Sequence, residues 1–354
     1  MAIGQSSPGL GQHPWREIRL GEGSNKRSRL DKLFNVLGVL LAAVALVYLA
    51  RSFHQGLTRA GSLSALLSFK PWLFAASMAL LMVHMCLAAL SWMMVSGIVG
   101  CPVSYGQAFA IHFLTQVGKY VPGKVWAAVG KVGLTRTLGL SATKASHAMV
   151  LESLFIVSGS MIVALPLVPV AADHLGMGRV LSLVAVSVTA GALVLTAHPT
   201  AFRRTLRFVG RITGKTLSCE DPGFFNVVRL LPIYLLVFLT QGLAFVLLAW
   251  SFGTDLPLYP GMFVFPMAMV IGFIVVFAPG GLGVREVTLS WLVALSAPTV
   301  GPGQAELLSI AARLWITLVE ALAFGIAVFL WGGGRPWRIV MGRGQNTSRP
   351  STAT

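Results

Sequence analysis

The chain has 354 residues, of which 55% are hydrophobic and only 11% are charged. Soluble domains carry roughly 25% charged residues, so this composition excludes an ordinary soluble protein and predicts an all-α polytopic membrane protein. Lys and Arg outnumber Asp and Glu by 27 to 11. Because these basic residues lie mostly between apolar runs, they favour a role in membrane topology and anionic-lipid contact, and we expect no nucleic-acid partner.

The three cysteines are scattered and form no CxxC motif, which argues against a disulfide framework and a zinc site. We expect no metal and no cofactor. Residues 1–32 are polar and basic and predict a disordered cytoplasmic tail, and 332–354 predict a second one. The segment between them, 33–331, is the predicted integral membrane domain.

Apolar runs predict about eight transmembrane helices, since a helical span needs roughly 20 residues. The runs lie at 33–50, 72–97, 145–169, 179–197, 230–251, 261–278, 285–299 and 308–331. Basic residues concentrate in the two tails and in segments 98–143 and 198–229, which predicts a cell (inner or plasma) membrane protein with both termini cytoplasmic. That orientation places Lys119–Lys124 and Arg285 toward the cytoplasmic side.

Segment 98–143 does not have the pattern of a simple loop. Ser104–Val117 is mostly apolar but too short to span, Gly118–Lys124 interrupts it, and Val125–Val132 resumes a pattern compatible with a helix. This pattern predicts a re-entrant hairpin or a broken helix. An interfacial amphipathic helix followed by a loop is the alternative.

A second interruption lies at Phe277–Glu286, where a proline and three glycines cannot continue a helix. Both interruptions place an aromatic residue before a Pro-Gly step and a cation before a new apolar helix. Matched breaks in two halves of a membrane protein indicate an internal repeat with a central substrate site.

The restarting helices predict the chemistry of that site. A helix N-terminus offers unpaired N–H groups and partial positive charge, and Lys119, Lys124 and Arg285 add full charges that suit a phosphate. In the alternative interpretation these cations lie at the membrane interface and fix topology. The candidate ligand-binding residues are Lys119, Tyr120, Pro122, Gly123, Lys124, Glu152, Pro279, Gly280, Gly281, Gly283, Arg285, Glu286, Arg313 and Glu320.

Ionisable residues inside apolar runs are costly and usually face the protein interior. Glu152 follows Lys144 by about two helical turns, and Arg313 shares a helix face with Glu320. We expect the glutamates of these runs to pair with Arg285 or Arg313; a proton-coupled role for one glutamate is the alternative. Three histidines lack metal-ligand spacing and are interpreted as packed or interfacial: His84, His112 and His147.

Two motifs carry a resemblance to a known family. Gln116–Trp126, followed by Glu152, and Ala278–Glu286 resemble the two signatures of the lysylphosphatidylglycerol synthase transmembrane region. The resemblance extends over roughly residues 30–332. It implies translocation of a phospholipid between leaflets, with Lys119, Lys124, Arg285 and Glu286 contributing to the lipid site. No soluble aminoacyl-transferase domain follows the last apolar run, so lysyl transfer is not expected.

The leading functional prediction is a flippase-like protein that binds or moves an anionic or phosphate-bearing lipid, either a phospholipid or a polyprenyl-phosphate-linked lipid. One alternative is a membrane enzyme or subunit that modifies a lipid-linked substrate by glycosyl or aminoacyl transfer with a separate soluble partner. Another is a scaffold without transport, and a homo-oligomer fits any of the three. No DxD or HxxxxD motif is present, so the chain itself is not predicted to be an enzyme.

Overall fold

The computed structural model describes residues 69–116, 118, 126–176, 178–197, 204, 224–274 and 284–330. The described residues lie in helices and in short turns next to them. The all-α prediction is therefore confirmed for this part of the chain. The predicted first span at 33–50 and both predicted tails lie outside the described residues.

The long helices lie on the predicted apolar runs, and shorter helices lie between them. In chain order they are α1 (Pro71–Ile98), α2 (Tyr105–Gln116), α3 (Trp126–Thr137), α4 (Ala142–Ala164), α5 (Val168–His174), α6 (Gly178–Ala197), α7 (Phe224–Val228), α8 (Leu231–Ser251), α9 (Leu258–Ile274), α10 (Val284–Ser296) and α11 (Pro302–Leu330). A 3₁₀ turn, Leu165–Leu167, joins α4 to α5.

Four stretches in the described part of the chain are long and apolar enough to cross a membrane. They are Pro71–Ile98, Ala142–His174, Phe224–Ser251 and Pro302–Leu330. Helices α6 and α9 contain shorter apolar stretches, 178–194 and 258–272. The prediction of a polytopic membrane protein is confirmed, and the count of about eight spans stays a prediction.

Helices α1 and α8 pack along each other. The backbone N–H of Lys70 donates to the carbonyl of Ser251 at 2.8 Å, and His84 Nδ1 lies 2.8 Å from the carbonyl of Val237. His84 is fourteen positions after Lys70, and Val237 is fourteen positions before Ser251. The two helices are therefore antiparallel.

Helices α2 and α3 pack side by side as a helical hairpin, which we name hairpin one. A Cβ on Gly118 would lie 2.5 Å from the backbone nitrogen of Ala127, and a Cβ on Gly130 would lie 3.1 Å from Thr115 Cγ2. The later residue of α3, Gly130, contacts the earlier residue, Thr115, and Ala127 contacts Gly118, so the two helices are antiparallel. Glycine at these two positions permits the close approach. Re-entry of this hairpin into a bilayer stays a prediction.

Helices α9 and α10 form a second hairpin, hairpin two, across the undescribed residues 275–283. Near the break, a Cβ on Gly272 would lie 3.6 Å from Cβ of Arg285. The long helix that follows each hairpin packs against it: α4 lies against α3, and α11 lies against α10. Each long helix also packs on the first helix of the other hairpin, so α4 contacts α9 and α11 contacts α2.

Candidate functional site

Three ionisable side chains are buried where hairpin one meets α4, and we name Lys131, Glu152 and His112 the first charge cluster. Lys131 Nζ donates to both carboxylate oxygens of Glu152, at 2.6 and 2.7 Å, and lies 3.2 Å from His112 Nδ1. Lys131 is 6% exposed and Glu152 4% exposed. The three ammonium protons thus have three acceptors, which compensates the loss of water around a buried charge.

The ammonium group fixes the proton arrangement of the histidine beside it. Lysine has only donors, so His112 Nδ1 must accept, and the neutral ring carries its proton on Nε2. The side-chain amide nitrogen of Gln116 lies 3.2 Å from that Nε2, and a hydrogen bond there requires the amide to be turned so that its oxygen accepts. The ring of Trp92 closes the other side, with its centroid 4.3 Å from Lys131 Nζ, a cation–π contact in a dry site.

Local sequence explains how α3 brings a lysine into the interior. Lys131 lies between Gly130 and Gly133, and the close approach of Gly130 to Thr115 brings α3 onto α2. Thr135 Oγ1 donates to the carbonyl of Lys131 at 2.7 Å. This bond occupies the threonine hydroxyl within the helix. Because α3 packs closely on α2, Lys131 lies between His112 on one side and Glu152 on the other.

A second buried pair lies where hairpin two meets α11, and we name Arg285, Glu286 and Arg313 the second charge cluster. Arg313 Nη1 lies 3.8 Å from Glu286 Oε1, and the two residues are 6% and 7% exposed. Glu286 stands in the first turn of α10, where a carboxylate is favoured by the helix dipole. The guanidinium carbon of Arg285 lies 4.5 Å from the centroid of the buried Phe265 ring.

His84 joins α1 to α8 near the second charge cluster. Its Nε2 lies 3.4 Å from the amide nitrogen of Gln241, in addition to the bond with Val237. Glu320 and Arg285 both lie within electrostatic reach of His84. Residues of α1, α8, α10 and α11 therefore converge at this point of the bundle.

The turn between α1 and α2 has a separate environment. Gly100 has φ of +73°, a conformation that favours glycine, and a Cβ there would lie 2.9 Å from Lys144 Nζ. Cys101 follows and is 1% exposed. Burial raises the pKa of the Cys101 thiol, and the charge of Lys144 acts in the opposite direction. Lys144 is exposed beside this turn. It lies on the same helix as Glu152, but the ion-pair partner of Glu152 is Lys131.

The structure describes five of the predicted site residues. It brings Glu286 and Arg313 together as expected, with Arg285 beside Glu286 and Glu320 half-buried further along α11. Glu152 belongs to the first charge cluster, with Lys131, His112 and Trp92, none of which was a predicted site residue. The remaining predicted residues lie outside the described part of the chain: Lys119, Tyr120, Pro122, Gly123, Lys124, Pro279, Gly280, Gly281 and Gly283.

Comparison with known families adds to this geometry. A family model described as "Lysylphosphatidylglycerol synthase TM region" matches residues 35–325, which include both hairpins and both charge clusters. The chain belongs to this family. Membership in the lysylphosphatidylglycerol synthase TM region family, together with the long apolar helices, makes it a multi-pass membrane protein connected with lipid. No curated protein and no solved structure matches the chain at a significant level.

Proposed function

We propose that this protein binds the headgroup of an anionic or phosphate-bearing lipid and moves that lipid between the leaflets of the cell membrane. The supporting observation is the pair of hairpins packed inside an apolar bundle, each with a buried acid–base pair beside it. Charge is expensive inside a membrane protein, and residues that retain it commonly line the path of a polar substrate. A lipid headgroup that crosses the hydrocarbon core needs such a path.

Cations near the two helix breaks give the proposal its preference for anionic lipid. Arg285 is the second residue of α10 and is half-buried, next to the amide groups of a helix N-terminus. In the sequence, Lys119 and Lys124 occupy the corresponding break before α3. Arginine can bind phosphate oxygens through two parallel N–H donors, and a lysine at the same place retains charge but loses that geometry.

The orientation proposed with this function places both termini in the cytoplasm. Tails and segments 98–143 and 198–229 carry most of the basic residues, and short cytoplasmic segments are the ones enriched in Lys and Arg. We take the lipid itself as the primary partner. A separate transferase or a second copy of the chain would act beside this lipid path and would not replace it.

A scrambling assay tests the proposal. Purified protein is reconstituted into liposomes that contain fluorescent phosphatidylglycerol or fluorescent phosphatidylcholine, and dithionite quenches the label that reaches the outer leaflet. We expect the protein to accelerate transfer of phosphatidylglycerol. Loss of a charge-assisted hydrogen bond costs about 1.5–3 kcal/mol, so Arg285→Ala should slow transfer by about 10- to 100-fold, and Arg285→Lys by less.

The matched control is Arg229→Ala, which removes an exposed arginine that follows α7 and belongs to neither charge cluster. This variant should transfer lipid at the wild-type rate. Proteoliposomes that scramble neither lipid faster than empty liposomes contradict translocation. In that case native mass spectrometry of co-purified lipid decides between headgroup binding without transfer and a scaffold that retains no lipid.

A further inference from the structure

Residues 71–164 and 231–330 have the same order of parts, and we name them unit one and unit two. Unit one contains the long helix α1, hairpin one and the long helix α4; unit two contains α8, hairpin two and α11. The second helices of the hairpins are similar in length, 12 residues in α3 and 13 in α10. Each packing inside unit one, such as α2 on α1 and α3 on α4, has its counterpart inside unit two.

The packing between the units is reciprocal as well. The first helix of unit one lies along the first helix of unit two, α1 on α8. The last helix of each unit lies on the first hairpin helix of the other, α4 on α9 and α11 on α2. These contacts stay the same when the two units are interchanged. Two repeats related by a two-fold axis that passes between α1 and α8 have this contact pattern.

The direction of that axis follows from the antiparallel packing of α1 and α8. A two-fold axis that exchanges two antiparallel helices is perpendicular to both of them. Both helices lie in stretches long and apolar enough to cross the bilayer, so the axis lies in the membrane plane. The two units then have inverted topology, and equivalent parts of the two units enter the membrane from opposite faces.

The two buried ion pairs also occupy equivalent places. Lys131 on α3 pairs with Glu152 on α4, and Glu286 on α10 pairs with Arg313 on α11. In each unit the pair joins the second helix of the hairpin to the long helix that follows. The signs are exchanged, because unit one carries the base on the hairpin and unit two carries the acid there.

We infer that the two units form an inverted repeat in which hairpin one and hairpin two are the two gates of the lipid path, one facing each leaflet, and that its ion pair holds each gate closed. The transport part of this inference rests on the proposed function; the topology does not. Hairpin one faces the side that carries Arg136 and Lys144, which is the cytoplasmic side by its charge. Hairpin two faces the opposite side.

This arrangement places Arg285 within the bilayer, whereas the eight-span prediction places it toward the cytoplasmic side. Helix α10 has 13 residues and is about 20 Å long, which is short of the hydrocarbon core of about 30 Å. Helix α10, whose second residue is Arg285, therefore starts within the bilayer and leads back to the face from which α9 entered. The anionic headgroup meets the two clusters from opposite leaflets, as alternating access requires.

Cysteine accessibility tests the topology without any transport measurement. In a background without the three native cysteines, Ser104→Cys marks the base of hairpin one and Thr299→Cys the base of hairpin two; both residues are exposed. A membrane-impermeant maleimide should label Thr299→Cys in intact cells and Ser104→Cys only in inverted vesicles. Ser141→Cys and Asp255→Cys are second reporters of the same two bases. Labelling of both bases from one face overturns the inverted repeat and leaves the lipid proposal standing.

Two buried reporters test the gates. Thr115→Cys lies on α2 of hairpin one and Val293→Cys on α10 of hairpin two, and both side chains are buried. Lys131→Met should speed maleimide labelling of Thr115→Cys at least tenfold and leave Val293→Cys protected. Arg313→Met should speed labelling of Val293→Cys at least tenfold and leave Thr115→Cys protected.

The exchange Lys131→Glu with Glu152→Lys restores the first ion pair and should restore protection of Thr115→Cys. If both reporters become reactive together in either Met variant, the protein has loosened as a whole and the gate assignment fails. It fails equally if neither reporter responds. These readouts do not depend on scrambling, so a protein without transfer activity contradicts the proposed function while the gates are judged separately.

Discussion

Replacing Lys131 by methionine keeps most of the side-chain volume and removes the charge that faces Glu152. Lys131 and Glu152 are 6% and 4% exposed, so the carboxylate would be left in an apolar environment. Breaking a buried pair from one side costs about 3–5 kcal/mol, whereas replacing both partners by apolar residues is often neutral or stabilising. We therefore expect Lys131→Met to lower the free energy of unfolding by about 3–5 kcal/mol, and Lys131→Met with Glu152→Leu to recover most of it.

Equilibrium unfolding in mixed micelles, followed by tryptophan fluorescence, measures these differences as a double-mutant cycle. Lys144→Met is the matched control, because Lys144 is exposed on α4, and it should stay within about 0.5 kcal/mol of wild type. A loss below about 1 kcal/mol for Lys131→Met would show that Glu152 is not held as a buried carboxylate. A double variant less stable than either single variant would refute the reasoning about desolvation.

Two further predictions concern packing and thiol chemistry. A Cβ on Gly242 would meet the carbonyl oxygen of Met262, so Gly242→Ala should force α8 and α9 apart and cost about 1–3 kcal/mol or more in a thermal-unfolding assay; Gly325→Ala, whose Cβ would meet nothing within 4 Å, should not destabilise the protein. Burial raises the pKa of the Cys101 thiol, so little thiolate exists at pH 7.5 and peptide mapping after maleimide treatment should find Cys101 modified only after denaturation. Rapid modification of Cys101 in the native protein would contradict its burial.

The helices could be predicted from the sequence because apolar runs of spanning length determine them. The predicted run 72–97 corresponds to α1, and the predicted run 179–197 to α6. The pair of Glu286 with Arg313 could also be predicted from the sequence, since few charges of opposite sign are available inside adjacent apolar runs. In these cases composition and local spacing carry the necessary information.

The first charge cluster could not be predicted from the sequence, because its residues come together only through tertiary packing. Lys131 and Glu152 are 21 residues apart and lie on different helices, so periodicity along one helix indicates the exposed Lys144 as a neighbour instead. Bringing Lys131 to His112 requires α3 to fold back on α2. A lysine between two glycines in a helix too short to span was the one local signal that α3 is held by a specific partner.

Hairpin one has a consequence for how the protein is made. Helix α3 contains Lys131 near its middle, and a cation near the centre of an inserted helix adds about 2.5–3.5 kcal/mol to the free energy of insertion. Such a segment cannot be stably integrated before a counter-charge is available to it. Glu152 lies on the next helix of the chain and neutralises Lys131, so we expect α3 to integrate together with α4 during synthesis.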